Sequence, residues 1–252
     1  MLFFAIDTSS ETLSLAVYRE GTIFRRDIAD AGSRNAELAL PAMHALLAEA
    51  QLALSDLTAI VAGIGPGSFT GVRIACGIAQ GLSYGAGLRA IVLPSTLAVA
   101  AAAPDGAANL LVAIDARMQE VYWATYCRDE SAPTGFRECT PPALAAPPAL
   151  TLPAGDDPLC WHGIGSAFAD AMLATELRRA LSPALTATTI AFPSAAGLAA
   201  IAARLWQRQG STCTVAPHDV QPLYLRDKVA LTLDERRQRA AAHAGSNLER
   251  SV

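Results

Sequence analysis

Apolar and polar positions follow two rhythms along this chain. Leu2 to Ile6 is a continuous apolar run that ends at Asp7, the pattern of a buried strand, and TSSE follows as a turn. Thr12 to Tyr18 alternates with period two, and a third strand is expected from Gly21 to Ile28. The period then becomes helical, roughly from Asn35 to Gln51, with Leu40, Met43 and Leu47 on one stripe and Leu38 and Leu46 off it. A helix apolar over that width is covered on more than one side, by its own sheet or by a partner. Pro41 starts or kinks it. Thr58 to Ile64 reads as a strand, about Thr70 to Tyr84 as a helix, Ala90 to Leu93 as a strand, and Pro94 to Ala103 as the start of another helix.

The pattern then restarts. AIDTSSETLSLAVYRE at Ala5 to Glu20 is echoed by AIDARMQEVYWATYCRD at Ala113 to Asp129, with the aspartates and Tyr18 and Tyr126 in register. This reads as a duplication. A Pro/Ala-rich stretch (Thr140 to Pro158), a strand (Leu159 to Ile164), a helix from Ser166 and a helix from Ser194 to Gln209 follow. The expectation is an α/β chain of two lobes with related βββαβα topology, at 1–104 and 105–226. The end of the second lobe would pack back on the first. Residues 227–252 form a charged tail, whose RRQR cluster (Arg236 to Arg239) is either frayed or a contact for RNA phosphates.

At 252 residues and 52% hydrophobic, the chain can bury a large core. With 17% charged residues and a net charge of -4, the whole makes no case for a free-standing nucleic-acid binder. No apolar run reaches membrane-spanning length, and MLFFAIDTSS lacks a basic region or cleavage signal, so the expected location is cytoplasmic. Five scattered cysteines without CxxC spacing suggest neither a zinc site nor a disulfide framework and read as free thiols.

Candidate chemistry concentrates in GIGPGSFTGVR, Gly63 to Arg73. It is not a P-loop, because no lysine follows the glycines, and Ser68 stands where GxGxxG needs its third glycine. What remains is a strand, a tight turn at Gly65 and Gly67, and a helix start with Ser68 and Thr70 as candidate caps. With Gly71 and Arg73 in the first turn, such an end attracts an anion or a partner carboxylate; the other reading is a loop shaped only by packing. Downstream, Gly77, Gly81 and Gly85 form a stripe beside Ile74, Ile78 and Leu82. Each mid-helix glycine costs about 1 kcal/mol relative to alanine, so a backbone is expected to pack close to that stripe.

Two lobes with an aspartate ending each first strand resemble the actin-like ATPase (ribonuclease H-like) fold, whose phosphate turns carry glycine. Here the turns read Asp7-Thr8-Ser9-Ser10 and Asp115-Ala116-Arg117, without it. Asp7 and Ser9 are either a vestigial phosphate turn or an Asx turn, and Arg117 competes with any metal for Asp115. His44, His162, His218 and His243 are single and distant, so no catalytic set and no metal site is expected.

Together, Ala5-Ile6-Asp7-Thr8-Ser9, SRNAELALPAMHALL (Ser33 to Leu47), Gly63 to Arg73, Ile114 to Arg117 with Glu120-Val121-Tyr122, and Pro222 to Arg226 resemble the TsaB family. The match covers most of residues 1–226, and Asn35-Ala36-Glu37 departs from it, leaving Glu37 as a cap or a cross-interface charge. The resemblance implies a non-catalytic dimerisation and activation subunit in making threonylcarbamoyladenosine beside the anticodon of tRNAs that read ANN codons. The implied partners are a catalytic paralogue, TsaD, and an ATPase, TsaE. Self-pairing is open, tRNA is reached only through the complex, and no membrane is involved. No cofactor of its own is implied, apart from weak or shared ATP or ADP at the complex interface. The implied partner surface is Leu40, Met43, Leu47, Gly77, Ile78, Gly81 and Leu82. A stand-alone ATP-dependent kinase or ATPase of the actin-like fold, and a related peptidase, are the rival readings.

Overall fold

The computed structural model of the chain describes residues 1–153 and 160–226. The charged tail with its RRQR cluster, and Leu159, lie outside the described residues. The first half forms β1 (Leu2–Asp7), β2 (Leu13–Arg19), β3 (Thr22–Ile28), α1 (Asn35–Glu49), β4 (Ala59–Gly63), α2 (Phe69–Ala86), β5 (Arg89–Leu93) and α3 (Ser95–Ala100). The second half forms β6 (Asn109–Asp115), β7 (Val121–Arg128), β8 (Phe136–Ala145), β9 (Trp161–Ile164), α4 (Ala171–Leu181), β10 (Leu185–Thr189) and α5 (Ala195–Gln209).

The strands make two five-stranded sheets, ordered β3-β2-β1-β4-β5 and β8-β7-β6-β9-β10. In each, the first strand is antiparallel to the second and parallel to the fourth. Asp7 and Asp115 end equivalent central strands. Tyr18 lies opposite Phe3 and Tyr126 opposite Leu110, and both tyrosines are buried. The echo in sequence is therefore an echo in topology, and the α/β actin-like expectation holds.

The second half departs from the expected pattern in three places. Strand β8 runs into the Pro/Ala-rich stretch, to which no element was assigned from the sequence. Its prolines are tolerated because β8 is an edge strand whose pairing with β7 is broken by bulges. Strand β10, LTATT, is short, polar and also at an edge, so periodicity does not reveal it. The helix expected from Ser166 starts instead at Ala171, after a 3-10 turn. Asp170 caps it, accepting from Met172 N and Leu173 N at 2.9 Å each.

Three cores separate the layers. Phe4, Ile6, Leu15, Ile60 and their neighbours face α1 and α2 on one side of the first sheet. Leu111, Trp123 and Phe168 pack with α4 outside the second sheet. The largest core joins the inner faces of both sheets around α3 and α5. Helix α5 is late in the chain yet packs on β1, β2 and β4, while α3 packs on β6 and β7. Ala195 N donates to Ser14 Oγ on β2 at 2.8 Å across a sequence separation of 181. The chain then returns to the first sheet, where Val215 bridges Ala90 and Leu223 N donates to Ile64 O at 2.8 Å. No helix among the described residues is long and apolar enough to cross a membrane.

Candidate functional site

Asp7 sits where β1 ends and is fully buried. Its Oδ1 accepts from Ser9 N at 2.8 Å and Ser9 Oγ at 2.6 Å, which is an Asx turn. Its Oδ2 accepts from Ser95 Oγ at 2.8 Å, and that oxygen accepts from Gly65 N at 3.2 Å. Burial pushes the Asp7 carboxyl above its ordinary value of 3.8, against the opposing pull of the Ser9 and Ser95 hydrogen bonds.

The glycine-rich loop packs directly onto this turn. Ser68 N donates to Ser9 O at 2.7 Å, and Thr8 Oγ1 donates to Gly71 O at 2.6 Å. A Cβ on Gly67 would stand 2.6 Å from Ser9 Cβ, and one on Gly71 would run into the Thr8 backbone. Gly65 is left-handed at φ +96°. These glycines allow backbone to approach backbone, and the N–H groups of Gly65, Ser68 and Gly71 are already bonded within the chain. The anion cradle expected at this loop is thus largely filled by the protein's own turn. Ser68 is the cap of α2, its Oγ accepting from Gly71 N at 3.3 Å, whereas Thr70 lies inside the helix. Arg73 stacks on the Phe69 ring, 3.3 Å from its centroid, and 4.8 Å from that of Tyr224.

The second strand-end turn is closed differently. Arg117 N and Nη1 approach Asp115 at 2.7 and 3.5 Å, and Arg117 Nη2 reaches Glu11 in the first turn at 2.7 Å. Arg117, Met118 and Gln119 all have positive φ, between 59° and 63°. Such consecutive left-handed residues cost about 1–2 kcal/mol each. From the end of the described chain, Arg226 ties this turn down, pairing with Glu120 at 2.7 Å and donating to Ala116 O at 3.0 Å. The two turns that hold phosphates in the actin-like fold are here bonded to their own chain and to each other.

The helix surfaces correct the expected stripe. Met43 and Leu47 are buried against the first sheet, 1% and 3% exposed, and only Leu40 of that trio reaches the surface, at 44%. Leu40 lies at the outer margin of that face, next to the exposed Pro41 and His44, while Met43 and Leu47 turn toward the sheet. Glu37 is exposed and pairs with Arg34 at 3.7 Å. On α2, Ile78 and Leu82 are half-buried against the core. A Cβ built on Gly77, Gly81 or Gly85 meets nothing within 4 Å. The backbone expected to pack against these glycines is not supplied by the described residues, and among them the stripe is open, with Tyr84 beside it 84% exposed.

Sequence reading did not find Ser95, the second anchor of Asp7. Its signal is positional, since it follows the end of β5, two strands from β1 in the sheet. Tyr224 and Arg226 stood in a recognised motif without a role. The contact between Glu11 and Arg117 joins two turns that were read separately.

Residues 29–232 match the family described as "TsaD: tRNA N6-adenosine threonylcarbamoyltransferase". The chain is 32% identical over 233 residues to the tRNA threonylcarbamoyladenosine biosynthesis protein TsaB of Haemophilus influenzae, spanning 89% of this chain and 93% of that one. It is 43% identical over 133 residues to TsaB of Escherichia coli, spanning 52% of this chain and 57% of the relative. The solved structure of YeaZ from Pseudomonas aeruginosa superposes with a TM-score of 0.77 at 31% identity, over 89% of this chain and 99% of that one. Similarity that runs through both sheets and the crossing helices between them is similarity of the whole described chain, and the chain belongs to the TsaB family.

Proposed function

We propose that this protein acts in the biosynthesis of threonylcarbamoyladenosine in tRNA, as a non-catalytic subunit that binds and activates a TsaD-like paralogue and, with it, a TsaE-like ATPase. Family membership supports the pathway. The observation that carries the accessory role is Asp7, sealed by Ser9, Ser95 and the glycine-rich loop where an actin-like enzyme would meet phosphate. The same closure opposes a stand-alone kinase or ATPase. Partner binding is assigned to the outward sides of α1 and α2, with Leu40 on one and Gly77, Gly81 and Gly85 on the other. Open glycines let a second helix approach more closely than any side chain would permit.

Depleting the protein is expected to lower threonylcarbamoyladenosine in tRNA nucleosides measured by mass spectrometry, with recovery on re-expression. Gly81→Leu is expected to leave the fold intact, because the site is open, yet to fail in co-purification with the paralogue and in recovery. Unchanged nucleoside levels after depletion would remove the pathway assignment. Normal pairing by Gly81→Leu would remove only the assigned surface.

A further inference from the structure

No CxxC spacing links the five cysteines, but the fold brings two of them together. Cys127 on β7 and Cys139 on β8 are twelve residues apart, and their sulfurs lie 2.8 Å from each other. A disulfide bond measures about 2.05 Å, so closing one requires a shift of less than an ångström. The cause is local. Tyr126 pairs with Glu138 and Thr125 with Thr140, leaving Cys139 as an extra residue in β8. A bulge of this kind re-aims a side chain, and here it turns one sulfur onto another. Both residues are half-buried, on an edge strand and its neighbour.

We propose that Cys127 and Cys139 form a thiol-modification site that reacts with small disulfides of the glutathione class and closes to an intramolecular disulfide. Cys139, on the edge strand, gives up its proton and attacks the small disulfide. The S–S bond of the reagent breaks, one small thiol leaves, and Cys139 carries a mixed disulfide. Cys127 then loses its proton and attacks the Cys139 sulfur, displacing the second small thiol. Two protein thiols and one small disulfide become one protein disulfide and two small thiols, with two electrons passed to the reagent. Burial, and then the hydrogen bond with Cys139, push the Cys127 thiol up to about 11, which disfavours it as the opening nucleophile; its attack in the second step is favoured by the 2.8 Å proximity of the two sulfurs.

The loop enclosed by this bond carries Glu130. Its carbonyl oxygen accepts from Arg204 Nη2 at 3.2 Å and Arg208 Nη2 at 2.9 Å, and its carboxylate pairs with Arg204, both arginines being on α5. Oxidation would therefore stiffen a tie between the second sheet and the helix that covers the first.

The test equilibrates the full chain in buffers of reduced and oxidised glutathione, quenches it with acid, alkylates it and maps the peptides. The expected result is one two-electron transition and a Cys127–Cys139 link, with slower amide exchange at Ala132 and Gly135 in the oxidised form. Cys127→Ser is expected to stop at a stable glutathione adduct on Cys139. Separate adducts on the two wild-type cysteines, thiols that persist in oxidised glutathione, or a link through Cys160 or Cys213 instead would each overturn the proposal.

Discussion

A carboxyl group sealed inside a protein keeps its charge only against the loss of hydration. Asp7 is in that position, and its direction of shift fixes a pH dependence. The folded chain holds this proton to higher pH than the unfolded chain, whose carboxyl titrates near 3.8. The stability contributed by the protonated form is full below that value and is lost as pH rises through the raised folded value. Urea unfolding of Asp7→Asn at a series of pH values is expected to show a shallower decline above pH 3.8 than the wild type, by the slope of one proton. Parallel profiles would mean that Asp7 does not titrate in that range. At this scale the sequence is half legible. An apolar run stopped by an aspartate announces a strand end, but Ser95, 88 residues away, meets it only through the order of strands.

Two sets of glycine flank one another in the loop and in α2, and in sequence they look alike. Gly67 and Gly71 are pressed against residues 8 and 9, whereas Gly77, Gly81 and Gly85 face open space. Alanine separates them. Gly71→Ala is expected to destabilise the isolated chain by about 2–4 kcal/mol, because its Cβ meets the Thr8 backbone. Gly77→Ala is expected to stabilise it by up to about 1 kcal/mol, through helix propensity alone. Denaturant midpoints read both, and equal effects would refute the contrast. The cost of mid-helix glycine was readable from the sequence, but the direction each faces was not. The same limit applied to α1, where a width of apolar residues was visible and the split between buried Met43 and exposed Leu40 was not.

Over the whole molecule, the duplicated strand order was legible because the aspartates and tyrosines keep register. The edge strands β8 and β10 were not, since edges need little apolar alternation. The return of the second half's end to the first sheet was expected, but the exchange of helices that makes α5 the cover of β1, β2 and β4 was not, since no local pattern encodes it. That exchange makes residues 1–104 an incomplete unit, because α5 supplies Leu198, Ala199 and Ala202 to the core beneath the first sheet. Expressed alone, residues 1–104 are expected to retain helical and strand signals but lose cooperative thermal unfolding and bind hydrophobic dyes. A sharp transition in that fragment would contradict the interleaved core. The long reach of α5 also sets a schedule during synthesis. Chains grow at about 5–20 residues per second, so the 105 residues from 105 to 209 take roughly 5–20 s to appear. For that interval the strands carrying Phe3 and Val61 exist while the helix that covers them does not. The nascent first half is thus a natural substrate for chaperones that shield apolar surface, and its final folding belongs to the moments after Gln209 has cleared the ribosome.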